Sequence, residues 1–252
     1  MSVEILAAPE LKVPREKVAQ HLREGKLKHV LLRFPRTMEE YAAQLREGLP
    51  YEYVMEELRK SGIIPEPTKS WEYSAEPLLR VLPQIEETEI YCYGDPLYTQ
   101  EEIKNLIEVA TLSLISSITN KIDTEKWRKL FEKDKESQRF ALRREADLVI
   151  TKTSSFESSV CVANSNTNYL ISELNAEGFE VTVKYIGLLP SPTPLENLRR
   201  EIAKEDTTDE RIKELVRLHI EYLKGYVLTS RNPDEAYQKW VRQRRAESQK
   251  VE

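Results

Sequence analysis

The sequence predicts an α/β fold: a mostly parallel central sheet flanked by helices, with a long helical insertion and a C-terminal helical extension. Three observations predict it. Short apolar runs recur along the chain, longer amphipathic stretches separate them, and helix-start residues stand where those stretches begin. Such an alternation implies right-handed crossovers and a sheet covered on both faces.

Six runs read as strands: "VEILAA" (residues 3–8), "HVLLRF" (29–34), "EIYCY" (89–93), "DLVIT" (147–151), "SVCVA" (159–163) and "EVTVKYI" (180–186). Four helix starts carry the capping-box pattern: Thr37 with Glu40, Thr99 with Glu102, Thr193 with Glu196 after Pro194 at the first helical position, and Asn232 with Pro233 and Glu235. Between residues 49 and 83, Pro50, Pro65, Pro67, Pro77 and Pro83 punctuate short helices. Residues 99–146 exceed a simple crossover and read as two or three helices. "IKNLIEVATLSLISSI" has a broad apolar face, and "EKWRKLFEKDKESQRFALRREA" buries Trp127, Leu130, Phe131 and Leu142. Residues 1–190 are thus expected to form an α/β core domain with insertions at about 49–83 and 99–146, and residues 191–252 a helical extension. The heptad-like "IKELVRLHIEYLKGYVL" and the aromatics Tyr222, Tyr226, Tyr237 and Trp240 suit either a homodimer interface or packing within the fold.

A chain of 252 residues, 40% hydrophobic and 32% charged, is long enough and apolar enough for a full core. Its 43 acids and 38 bases give a net charge of -5, which argues against a face dedicated to nucleic acid. High charge of both signs with few Gly, Cys and Met is a thermophile-like composition. No apolar run reaches membrane-spanning length, and "MSVEILAAPELK" has no signal-peptide pattern, so the expectation is a cytoplasmic protein without membrane contact. Cys92 and Cys161 sit inside strand-like runs, as buried thiols do.

Ligands of open parallel sheets collect beyond the carboxyl ends of the strands. The residues there are Pro9 and Glu10, then 33–37, Gly94 and Asp95, 151–155, and 164–168. In "RFPRT", Arg33 and Arg36 precede a helix start, a setting that favours an anion, although surface carboxylates can equally pair with them. In "NSNTN", Asn164 or Ser165 can serve as a helix cap, which leaves Asn166, Thr167 and Asn168 in surplus for a polar pocket or for turn chemistry. "KTSSFESS" lacks the glycines of a phosphate loop. His21, His29 and His219 do not follow predicted strands, and no metal, cofactor or serine-hydrolase motif occurs, so no metal and no cofactor are expected. Glu10 and Asp95 are the remaining acid-base candidates, each beside a proline where turn chemistry is an equal explanation.

The order "HVLLRFPRT", a long helical insertion, "SQRFALRREA" and "SVCVANSNTNYLISELNAEGFEV" resembles the TraB/TIKI/ChaN-like superfamily, which includes erythromycin-esterase-like proteins, over residues 1–187. The resemblance implies a site at Ala8 to Glu10, Arg33, Arg139 and residues 164–168. It departs from the hydrolases of that group, which carry acids and histidines there: only Arg139 and Glu10 keep the chemistry. An arginine cannot act as a carboxylate, nor an asparagine as a base. The resemblance therefore implies a degenerate member, with Arg33, Arg36, Arg139, Asn164 and Asn166 lining a cationic, amide-rich cleft for an anionic or polar ligand or a protein partner. A hydrolase built on Glu10 and Asp95 is the alternative. A nucleic-acid-associated module using the basic "KWVRQRRAESQK" is the third reading.

Overall fold

The structure is a computed structural model that describes residues 1–25, 27–64, 66–85, 87–164, 167–187, 192–204 and 206–248. It contains two compact units: Met1–Gln100 with Gln138–Leu188, and Glu101–Ser137 with Leu189–Glu252.

The first unit holds five strands, β1 (Ser2–Ala7), β2 (His29–Pro35), β3 (Glu89–Gly94), β4 (Ser158–Ala163) and β5 (Glu180–Tyr185). All pair in parallel, in the order β3-β2-β4-β1-β5. The fold class is the α/β class the sequence predicts. The register sets Leu31 beside Cys161 and Cys161 beside Ile5, so these three belong to one face of the sheet. That face is closed by the C-terminal half of α6 (Thr124–Thr153) and by α7 (Asn168–Ala176), through Ala146, Val149, Leu170 and Leu174. On the opposite face α1 (Lys12–Glu24) brings His21 Nε2 within 3.1 Å of the Glu4 carboxylate. After β2 come a short 3-10 turn and helices α2 (Glu39–Arg46), α3 (Tyr51–Ser61) and α4 (Lys69–Val81).

Gly94 ends β3 where a side chain has no room. A Cβ there would lie 2.7 Å from the Phe34 carbonyl oxygen, which is backbone of β2 and cannot swing away. Gly94→Ala is expected to destabilise the unit by about 1–3 kcal/mol by forcing the two strands apart. Chemical denaturation of the variant measures this, and an unchanged midpoint would contradict it.

The run "DLVIT" is not a strand; it is the last part of α6, a helix of 30 residues. Buried positions Ala141, Glu145, Ala146, Val149 and Thr153 recur at helical spacing through it. No glycine or proline interrupts the chain from Thr124 to Thr153, so the helix propagates through the apolar run. The Thr151 and Thr153 hydroxyls donate to carbonyls four residues back, at 2.8 and 2.7 Å.

The predicted caps divide. At Thr193 both halves of the capping box form, with the Glu196 amide donating to Thr193 Oγ1 at 3.2 Å and the Thr193 amide to Glu196 Oε2 at 2.6 Å. At Asn232, Oδ1 accepts from the Glu235 amide at 2.9 Å. Thr99 does not cap α5 (Pro96–Thr119); the helix starts earlier, with Asp95 Oδ1 accepting from the Tyr98 amide at 2.9 Å. Asp is as good a cap as Thr, and Pro96 directly after it is preset for the first helical position. Thr37 lies in the 3-10 turn, and α2 begins without a side-chain cap. The helix after β4 begins at Asn168 with Thr167 preceding it, so Asn164 is not its cap; Ser165 lies outside the described residues.

The second unit gathers the distal parts of α5 and α6 with α8 (Pro194–Ile202), α9 (Asp209–Tyr222) and α10 (Pro233–Ser248). Val109, Leu112, Trp127, Leu130 and Phe131 share one core with Leu198, Ile202, Ile212, Leu215 and Val216. The residues after 191 therefore have their core partners in the insertion, a grouping set by burial rather than by position along the chain. Asp134, 1% exposed, accepts from Asn105 Nδ2 at 3.0 Å and pairs with Arg199 Nε at 3.1 Å. Among the C-terminal aromatics, the Tyr222 and Tyr226 rings stack at 5.8 Å, and Trp240 meets both edge-on. Among the described residues no helix is long and apolar enough to cross a membrane.

Candidate functional site

A parallel sheet carries all its carboxyl ends on one edge, and the central position of β4 puts the turn after it between those of β2 and β1. Arg33 shares the parity of Leu31 on β2, so its side chain stands on the face covered by α6. There Arg33 Nε donates to Glu145 Oε2 at 2.9 Å and Nη2 to Oε1 at 3.4 Å. Glu145 Oε1 also accepts the Asp95 amide at 3.2 Å. Asp95, besides capping α5, pairs through Oδ2 with Arg144 Nε at 2.5 Å. The result is a linked row of two cations and two anions along the end of the sheet.

The pair is largely dry, with 17% of the Arg33 side chain and 6% of Glu145 exposed. Burial works against the guanidinium's charge, but the Glu145 carboxylate outweighs it and holds the Arg33 pKa above its ordinary value. Arg33 and Glu145 line a cavity of about 20 Å³ together with Tyr93, Ala163, Asn164 and Thr167. That volume suits one water-sized group. Tyr93, whose hydroxyl donates to the Val162 carbonyl at 3.0 Å, is driven well above the usual tyrosine pKa by burial, so it stays a neutral donor.

Two features leave the cavity chemically unfinished. Arg33 Nη1 has no acceptor among the described residues. Thr167, 2% exposed, has a buried hydroxyl with no hydrogen-bond partner among the described residues, and α7 begins directly after it without a side-chain cap. A buried hydroxyl left unpaired costs free energy that a bound polar group recovers.

The expected site residues distribute unevenly. Arg33 and Asn164 line the cavity; Arg36 and Arg139 are exposed and do not. Asn166 lies outside the described residues. Glu10 is half exposed, 3.5 Å from Arg15, whereas Asp95 is buried on Arg144 and the α5 amides, so each candidate carboxylate has its own cation. Residues 151–155 stand before β4 and thus at the opposite edge of the sheet from the cavity. Comparison with protein-family models, curated proteins and solved structures found no match to this chain. Among the described residues no group of three His, Cys, Asp or Glu side chains could hold a metal ion.

Glu145, Arg144 and Tyr93 belong to the cavity or its charge row without having been singled out from sequence. The signal for Glu145 was there: it falls on the buried stripe Ala141, Glu145, Val149, Thr153, and an acid on such a stripe calls for a cation. Reading "DLVIT" as a strand cut that stripe short.

The buried thiols expected from sequence are present. Cys92 and Cys161 are free and buried, and burial pushes the Cys161 thiol up to about 12. Both are therefore poor nucleophiles at neutral pH.

Proposed function

We propose that the cavity at the carboxyl edge of the sheet binds a ligand by one small anionic or polar group, such as a carboxylate or phosphate oxygen, and holds it without acting on it. The observation that carries this reading is the buried Thr167 hydroxyl, without a hydrogen-bond partner among the described residues, on a residue that lines the same cavity as Arg33. Hydroxyl, guanidinium and the amides of an uncapped helix end are donors suited to an anion. The titratable groups around them are committed elsewhere: Glu145 to Arg33, Asp95 to Arg144, and Tyr93 to a carbonyl. A general base is weakened when its carboxylate is held by a counter-charge, and both of these carboxylates are held by arginines.

A degenerate relationship to the TraB/TIKI/ChaN-like superfamily belongs to the same proposal. Its support is the strand order of motifs along residues 1–187, with Asn164 and Thr167 after β4 where the resembling hydrolases keep a histidine.

The test is thermal stabilisation of the full chain by inorganic phosphate and by acetate. At about 10 mM, a ligand of millimolar affinity contributes about 1.4 kcal/mol of stability. Thr167→Val keeps the shape and removes the hydroxyl, and is expected to weaken binding about tenfold. The proposal does not survive if neither anion shifts the transition, or if the valine variant responds as the parent does.

A further inference from the structure

We infer that α5 is a self-association surface on which two copies of this chain pair antiparallel. Helix α5 buries Asn105, Val109, Leu112, Ser113 and Ser116 on one side. Its other side is also apolar, and it carries Ile103, Leu106, Ile107, Ala110, Leu114 and Ile118. Leu106, Ile107, Leu114 and Ile118 are 48%, 48%, 61% and 72% exposed. The stripe runs about 22 Å along the helix.

Its spacing is that of a helix seam. Ile103, Ile107, Ala110, Leu114 and Ser117 follow one another at steps of four, three, four and three residues. Large and small residues alternate in the last four of these. With the helices reversed about Leu112, each Ile107 meets the second copy's Ser117 and each Leu114 the second copy's Ala110. Each large side chain then fills the space left by a small one, and the axes approach closely. A second copy is therefore the occupant whose shape the stripe itself supplies.

Charge favours the same direction. A parallel pair sets Lys104 against Lys104 and Glu108 against Glu108, a repulsion the reversed pair avoids. Area is sufficient as well. The stripe leaves roughly 500 Å² of apolar side chain exposed on one copy, at the upper end of what monomers show. Pairing two copies removes about twice that, which reaches the ~1,000 Å² expected of a specific interface.

Sedimentation velocity on the full chain tests the pairing. The parent is expected to dimerise with a Kd on the order of 1 µM. Leu114→Lys is expected to be monomeric with an unchanged circular dichroism spectrum, since the replaced side chain is exposed. Ala110→Leu adds apolar surface but overfills the position that receives Leu114, so its dimer is expected to be at least about tenfold weaker. A generic sticky patch would instead be strengthened by that change. A parent that stays monomeric at about 100 µM, a Leu114→Lys variant that still dimerises, or an Ala110→Leu variant that dimerises more tightly would each overturn the pairing.

Discussion

Glu145→Ala is expected to destabilise the sheet-bearing unit by about 3–5 kcal/mol. The substitution leaves the Arg33 guanidinium buried on the β2 face without its counter-charge and removes the acceptor of the Asp95 amide. The cost is that of an orphaned buried charge, not of the pair as such. Replacing both partners, Arg33→Met with Glu145→Leu, is therefore expected to restore most of the loss, because two apolar side chains need no counter-charge. Glu145→Gln should fall between, keeping hydrogen bonds but not the charge. Hydrogen exchange at the amides of β2 and β4 reads the stability of this unit directly. A Glu145→Ala variant as protected as the parent would show that Arg33 finds water or another anion, and the burial argument would fail.

Acid is expected to loosen the protein through two buried histidines as pH falls below the ordinary histidine value. Burial holds His29 and His219 at about 4, below the ordinary value of 6.5. His29 Nδ1 meets Ser159 Oγ at 2.6 Å and its ring stacks on Phe156, with Glu89 partly opposing and Lys152 reinforcing the depression. His219 packs edge-on against Trp127, and neither ring nitrogen is hydrogen-bonded among the described residues. The unfolded chain takes up these protons from pH 6.5 downward while the folded chain resists until about 4. Stability is thus fully present above pH 6.5 and is lost as pH falls toward 4. At pH 4.5 each histidine contributes about 2.5 kcal/mol of destabilisation relative to pH 7. Glu4, whose burial is outweighed by Lys184 and His21 so that its pKa lies below the usual range, adds a loss at still lower pH. The histidine share is isolated by comparing the parent with His219→Leu, which has no proton to gain. Urea midpoints at pH 7 and 4.5 should differ less in the variant, and equal differences would refute the assignment.

These two effects mark where sequence reading reached and where it stopped. Five of six predicted strands form, because an apolar β-rich run between turn residues is a local signal. The sixth, "DLVIT", has the same composition but sits at the end of a long helix without a breaker, and cooperative propagation overrides the preference of a few residues. At the cavity, Arg33 and Asn164 were legible because they lie at or just after the carboxyl ends of strands, and strand ends in a parallel sheet meet at one edge. Arg36, chosen by the same strand-end rule, and Arg139, implied by the family resemblance, both face solvent, since which way a residue points beyond a strand end or on a long helix depends on packing.

Five strand runs, the parallel α/β class, the Thr193 capping box and the burial of both cysteines were legible along the chain. Each follows from interactions within a few residues or from the two-residue and 3.6-residue periods that decide which side of an element is apolar. Tertiary structure alone decided that Arg33 is paired with a carboxylate 112 residues away. It also decided that the insertion shares a core with the C-terminal helices, and that Thr167 reaches the cavity with its hydroxyl unpaired. The placements of Arg33 and Thr167 depend on strand order, with β4 seated between β2 and β1. Strand order is fixed by the summed burial of the whole unit, a quantity that no local window of the chain contains.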